Sequence, residues 1–147
     1  MKNFKMFRRL ITDRTGSMVI EFALLAPVLI TMMIGIVHAG VYLQNFNAIR
    51  SLASDAGRYV MIEYQKGNNV SDVDIRSVIL GQAVNTPYLL DTDRIQITAT
   101  TLGTSRIAGA KEIDVDIAYT LEDWLPFVTL PGSTMSYSRP IFVVQTP

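Results

Sequence analysis

Few side chains in this chain could act on a substrate or hold an ion. Among its 147 residues there is no cysteine and a single histidine, His38. Thiol nucleophiles, disulfides and thiolate metal sites are therefore excluded, and any imidazole chemistry would rest on one ring. His38 stands inside an apolar run, where a bond to a neighbouring helix or a place near an interface suits it better than catalysis. Asp72-Val73-Asp74 and Asp91-Thr92-Asp93 look like fragments of calcium loops. Neither continues with the required glycine and distal glutamate, and turn or cap duty explains both. Asp114 and Asp116 share one side of an alternating segment that Glu122-Asp123 follow. They could form a carboxylate pair for acid–base work, although a solvated strand face accounts for them without a pocket. Basic residues gather at one end and no glycine-rich phosphate loop occurs, so nucleic-acid binding has no support. The expectation is a protein that is not an enzyme, with no catalytic residue, cofactor or metal.

The charge that needs explaining is Glu21. From Ser17 to Leu43 the sequence is SMVIEFALLAPVLITMMIGIVHAGVYL, with Glu21 its one formal charge. About 20 helical residues cross the hydrocarbon core of a membrane, so Phe22 to Gly40 or Val41 suffices. A charge at the centre of such a helix costs about 2.5–3.5 kcal/mol, but Glu21 lies near one end, where the side chain can reach toward water. A removable secretory signal would have a shorter apolar core followed by small residues, whereas here the small residue, Gly16, comes first. Pro27 should bend the helix without ending it. Lys2, Lys5, Arg8, Arg9 and Arg14 against Asp13 give the first sixteen residues a net +4, leaving −4 for the rest of a neutral chain. Such a basic head stays in the cytoplasm and the acidic remainder lies outside.

Arg14-Thr15-Gly16-Ser17-Met18-Val19-Ile20-Glu21-Phe22 resembles the processing site of type IV pilin-like precursors: a basic leader, a glycine, four mostly apolar residues, then glutamate and an aromatic. The resemblance implies that a prepilin peptidase cuts between Gly16 and Ser17, with Glu21 and Phe22 serving assembly. A glycine lets a protease approach the backbone closely. Cleavage would leave an α-amine on Ser17, with an unperturbed pKa of about 7.7–8.0. Glu21 lies four residues on, about 6 Å of helix rise. A neighbouring subunit shifted by that distance would bring its amine level with this carboxylate, and such a pair can fix register even where its net stabilisation is small. The stretch from Gly16 to Tyr59 is further similar to the TadE-like pseudopilins of tight-adherence (Tad or Flp) pilus systems. Glu21-Phe22-Ala23-Leu24-Leu25-Ala26-Pro27 matches that group's run, and Ala53-Ser54-Asp55-Ala56-Gly57-Arg58-Tyr59 resembles its later small-residue segment. His38-Ala39-Gly40 departs from it, since the group usually has an acid before that glycine.

The elements that would position these residues are read from periodicity. Tyr42, Phe46, Ile49, Ala53, Ala56 and Val60 recur at spacings of four and three, which extends the helix from about Ser17 to Tyr64, with Gly67-Asn68-Asn69 as a stop. An amphipathic helix lying on its own sheet explains this stripe better than a partner surface. Ser71-Asp72-Val73-Asp74 reads as the start of a second helix, with Ile75, Ile79 and Ala83 on one face and an end near Asn85-Thr86-Pro87. The period then becomes two: Ile95, Ile97, Ala99 and Thr101 form one half-buried strand, and Ile113, Val115, Ile117 and Tyr119 another, joined through Leu102 to Ala110. Met135 to Val144 reads as a third strand that Pro140 assigns to an edge or bulge. Leu121 to Gly132 is an apolar loop.

The expected fold is α+β: a long N-terminal helix, transmembrane in its first half, a short helix and an antiparallel sheet of about three strands. The expected organisation is a cytoplasmic leader over 1–16, a transmembrane helix over 17–43, a helical extension over 44–66 and an extracytoplasmic α+β domain over 67–147. The resemblance implies a minor pilin or pseudopilin of a bacterial inner membrane that is processed by a prepilin peptidase and acts in assembly of a Tad/Flp pilus for adhesion or secretion. Its partners would be other pilin subunits and inner-membrane assembly proteins. The mature 131 residues exceed the much shorter major subunits of that system. Two alternatives stay open: an unprocessed single-pass anchor with an external binding domain, and a pseudopilin of a type II secretion or DNA-uptake machine.

Overall fold

The computed structural model describes residues 14–122 and 133–144, with side chains from Met18 onward. Residues 1–13 of the leader and most of the apolar loop Leu121 to Gly132 lie outside the described residues. Helix α1 spans Arg14–Gln65, helix α2 Asp72–Ala83, and strands β1, β2 and β3 span Ile95–Thr101, Ala110–Thr120 and Thr134–Val144. The fold is the α+β arrangement expected. The chain divides into two compact units, Met1–Gly40 and Val41–Pro147.

Through the first unit α1 is helical by virtue of its Leu, Ala, Met and Ile content, and Pro27 sits inside it. Proline has no N–H to offer the carbonyl four residues back. The Thr31 hydroxyl donates to the Pro27 carbonyl at 2.8 Å, a back-bond that favours a local bend.

In the second unit α1 carries the stripe read from the sequence: Ile49, Ala53, Ala56 and Val60 are fully buried, and Leu52 joins them. Tyr42 and Phe46 pack more loosely against the same core. The helix stops where Gly67, at φ +81, takes a conformation only glycine adopts cheaply. There the Asn68 N–H donates to the Glu63 carbonyl at 2.9 Å and the Gly67 N–H to the Tyr64 carbonyl at 3.0 Å, which satisfies groups the helix end would orphan.

Helix α2 starts at a capping box: the Asp74 N–H donates to Ser71 Oγ at 3.2 Å, and the Ser71 N–H returns to Asp74 Oδ2 at 3.3 Å. It ends at Ala83, just short of the expected Asn85, and buries Ile75, Ile79 and Ala83. The sheet is an antiparallel meander in the order β1-β2-β3. Its register places Ile97 opposite Ile117 and Ile117 opposite Tyr137. Alternation then sends Ile95, Ile97, Ile113, Val115, Ile117, Tyr119, Met135, Ile141 and Val143 into the core. Each such aliphatic side chain contributes about 1.5–3 kcal/mol on burial. Pro140 lies on β3, an edge strand, as expected of a residue that cannot donate to a ladder.

Candidate functional site

Gly16 and Ser17 lie in the first turn of α1, because the helical backbone starts at Arg14 rather than at Ser17. Their side chains lie outside the described ones. Glu21 and Phe22 stand on the next turn, both exposed, Phe22 at 68%. The four residues named from the sequence thus occupy successive turns of one helix, and the helix alone brings them together.

Beyond Phe22, α1 presents an apolar surface that is exposed among the described residues. Leu24, Met32, Met33 and Ile36 are each more than 60% exposed. The most apolar window has a mean hydropathy of 2.3 and is 0% buried, so this stretch of α1 is not packed as a core helix, unlike the later turns that carry Ile49 to Val60. Isolated exposed leucines are ordinary, but a contiguous apolar face of several turns requires lipid or protein around it. His38 is half-buried near the end of this stretch.

The second cluster lies around Ser54, Asp55 and Gly57, in the small-residue segment. Each of these residues has a specific partner on another element. Ser54 Oγ accepts from Arg139 Nη1 on β3 at 2.6 Å and donates to the Arg50 carbonyl at 3.1 Å. Asp55 Oδ2 accepts from the Tyr88 hydroxyl at 2.6 Å. Desolvation, and then the Asp55 carboxylate, push the Tyr88 hydroxyl up to about 12. Gly57 lets β3 approach: a Cβ there would stand 3.6 Å from Arg139 Nε and 3.8 Å from Ile141 Cγ1. One turn of helix is thereby fastened both to β3 and to the segment after α2. The sequence showed that these residues are small, but the partners are distant in the chain and left no local sign.

The other candidates have structural duties. Asp72 accepts from the Thr101 N–H at 3.1 Å and from its hydroxyl, which ties the start of α2 to the end of β1. Asp91 accepts from the Asp93 N–H at 3.1 Å within a turn. Asp114 lies 3.6 Å from Arg106, while Asp116 is exposed. A site missed from the sequence is Glu112, which alternation places outward with Asp114 yet which is fully buried. The loop between β1 and β2 folds over it. Arg106 donates through its backbone N–H at 2.7 Å and through its guanidinium, which also lies over the Phe142 ring. The Arg106 side-chain bond, opposed by desolvation, holds the Glu112 carboxyl below the usual range.

Among the described residues, one apolar helix is long and apolar enough to cross a membrane and a small α+β unit follows it, the pattern of a membrane-anchored protein. Residues 16–58 match the family model described as TadE-like protein, so over this segment the chain is TadE-like. The match begins at the glycine of the expected cut and ends at Arg58, taking in both the apolar stretch and the Ser54–Gly57 seat. No curated protein and no solved structure matches the chain.

Proposed function

We propose that the protein is a pseudopilin or minor pilin, cut after Gly16 by a prepilin peptidase, that acts in assembly of a Tad/Flp-type pilus used for adhesion or secretion. The observation that carries this reading is the TadE-like match over 16–58, coincident with an apolar helix that is exposed among the described residues. Released into the membrane with a new amine on Ser17, such a helix would pack beside identical or related helices. Glu21, one turn along, is suited to meet the amine of a neighbour and set the register. The role is structural, without a reaction of its own.

The test compares wild type, Gly16→Val and Glu21→Ala for the mass of the N-terminus and for surface piliation. Gly16→Val should retain residues 1–16. Glu21→Ala should be cut yet incorporate poorly. Normal piliation in both variants would reject the reading.

An unprocessed anchor is the second reading, and the helical backbone running through the Gly16–Ser17 bond favours it. A peptidase would have to unwind this first turn, which is the part of a helix most ready to fray. Retention of the leader in cells with active prepilin peptidase would decide for the anchor.

A further inference from the structure

A polar cleft opens beside α1 just past its apolar run, on the second unit. From α1 it is lined by Gln44, Asn45, Asn47, Ser51 and Asp55, and Gln44 directly follows Leu43, the last residue of that run. Gln44, Ala48, Ser51 and Asp55 recur at spacings of four, three and four, so one face of the helix forms this wall. Pro87 and Tyr88, from the segment after α2, form the facing wall. The Tyr88 hydroxyl donates to Asp55 Oδ2 at 2.6 Å and holds the two walls together. The cleft measures about 490 Å³. Small-molecule sites span about 300–1,000 Å³. Its hydrogen-bonding groups are mostly unused. Among the described residues, the side chains of Gln44, Asn47 and Ser51 make no hydrogen bond, and Asn45 uses only Nδ2, which donates to the Val41 carbonyl at 3.0 Å.

The chemistry of this lining selects its ligand. Three primary amides each offer donors and an acceptor, Ser51 offers a hydroxyl, and the second carboxylate oxygen of Asp55 offers an acceptor; hydroxyl groups, which both donate and accept, match that set. No Lys, Arg or His lines the cleft, and the Asp55 carboxylate would repel a phosphate or a carboxylate. No cluster of acids or histidines able to hold a metal ion occurs among the described residues. An apolar ligand would strip water from the amides and leave them unpaired. Pro87 and Tyr88 supply the carbon surface that the C–H face of a sugar ring requires. We propose that this cleft binds a neutral polyhydroxyl group, the sugar of a glycolipid head or of a free saccharide. Headgroups add about 5–7 Å to each side of a hydrocarbon core of about 30 Å. Gln44 to Asn47 rise about 5 Å along α1, so a helix that leaves the core at Leu43 carries both amides through the headgroup layer. Such a site works whether or not the leader is removed, and it stands apart from the pilin reading.

The test uses the full-length chain in lauryldimethylamine oxide, a detergent without sugar, and follows the side-chain amide resonances of Gln44, Asn45 and Asn47 by NMR. Monoglucosyl and monogalactosyl diacylglycerol in mixed micelles, methyl glucoside and methyl galactoside in solution, and phosphatidylglycerol as the anionic comparison would each be titrated in. At least one glycosyl probe should shift the cleft amides in a saturable way and leave Gln96, an exposed amide on β1, unmoved. Asn47→Leu, which fills the cleft, and Ser51→Val, which removes its hydroxyl, should each weaken that binding about tenfold. Neither side chain bonds within the fold, so both variants should melt as wild type does. Saturation by the glycolipid well below the free glycoside would identify a lipid head as the source, and equal saturation a saccharide; either supports the site. Shifts with phosphatidylglycerol alone, or with no probe, would overturn it. So would glycosyl binding that neither Asn47→Leu nor Ser51→Val weakens.

Discussion

The Arg139 guanidinium donates to the Ser54 hydroxyl at 2.6 Å across 85 residues of sequence, with the bare Cα of Gly57 beside it. This contact sets how closely the edge strand can approach α1. It explains why the helix carries Ala, Ser, Ala and Gly at positions 53, 54, 56 and 57, where the preceding turns carry larger side chains.

Gly57 measures the spacing. An alanine methyl would meet Arg139 and Ile141 at 3.6–3.8 Å, ordinary contact distances. Gly57→Ala should therefore keep or raise stability, by up to about 1 kcal/mol from helix propensity. Gly57→Leu should destabilise by about 1–3 kcal/mol through overpacking. Thermal unfolding of the detergent-solubilised chain checks both. Equal behaviour of the two variants would refute the close approach.

Tyr88 supplies an alkaline signature. Its folded pKa of about 12 lies above the ordinary value of 10.0. The stability it contributes is therefore complete below pH 10.0 and lost as the pH rises toward 12. Tyr88→Phe should lower stability at neutral pH by about 0.5–1.5 kcal/mol and remove that part of the alkaline loss. In a tyrosinate absorbance titration, the component missing from the variant should be the late one.

Glu112 acts at the opposite end of the scale. Its pKa is depressed from 4.5, chiefly by the Arg106 bond. The contribution is present above 4.5 and disappears as the pH falls through the lower folded value. Glu112→Gln should reduce stability at pH 7 and flatten the acid limb of the stability profile, read by denaturant unfolding at several pH values. An unchanged acid limb would show that the buried carboxylate is not charged in the folded protein.

The apolar stretch of α1 should behave as a membrane span. Ile30→Arg places a charge near its middle and should cost about 2.5–3.5 kcal/mol of insertion free energy. Met18→Arg, near the end, should cost much less. A glycosylation-tag insertion assay reads the difference, and equal insertion of the two variants would argue that the helix does not cross the bilayer there.

Much of this architecture was legible from local pattern. The stripe from Tyr42 to Val60, the Ser71 cap, the alternation in β1 and β2 and the stop at Gly67 each arise from neighbours within a few residues, where helix or strand period decides which side chains share a face. Glu112 shows the limit of that reasoning. Its alternation is that of an outward residue, and it is buried because a loop folds back over it and supplies Arg106. Local pattern cannot register this, since the covering loop has no periodicity of its own.

The glycine, the glutamate and the apolar helix of the N-terminal region were determined by sequence alone, because hydrophobicity and spacing along one helix require no other element. The TadE-like segment is continuous in the chain for the same reason. Tertiary structure decided what the second half of that segment does. Ser54, Asp55 and Gly57 looked like a small-residue run, and only the packing of β3 and the Tyr88 loop onto α1 made them a seat for Arg139 and Tyr88. It also laid Pro87 and Tyr88 beside the Gln44–Asp55 face of α1. Those relationships join residues tens of positions apart, so they exist only once the strands have paired and the helix has been laid across them.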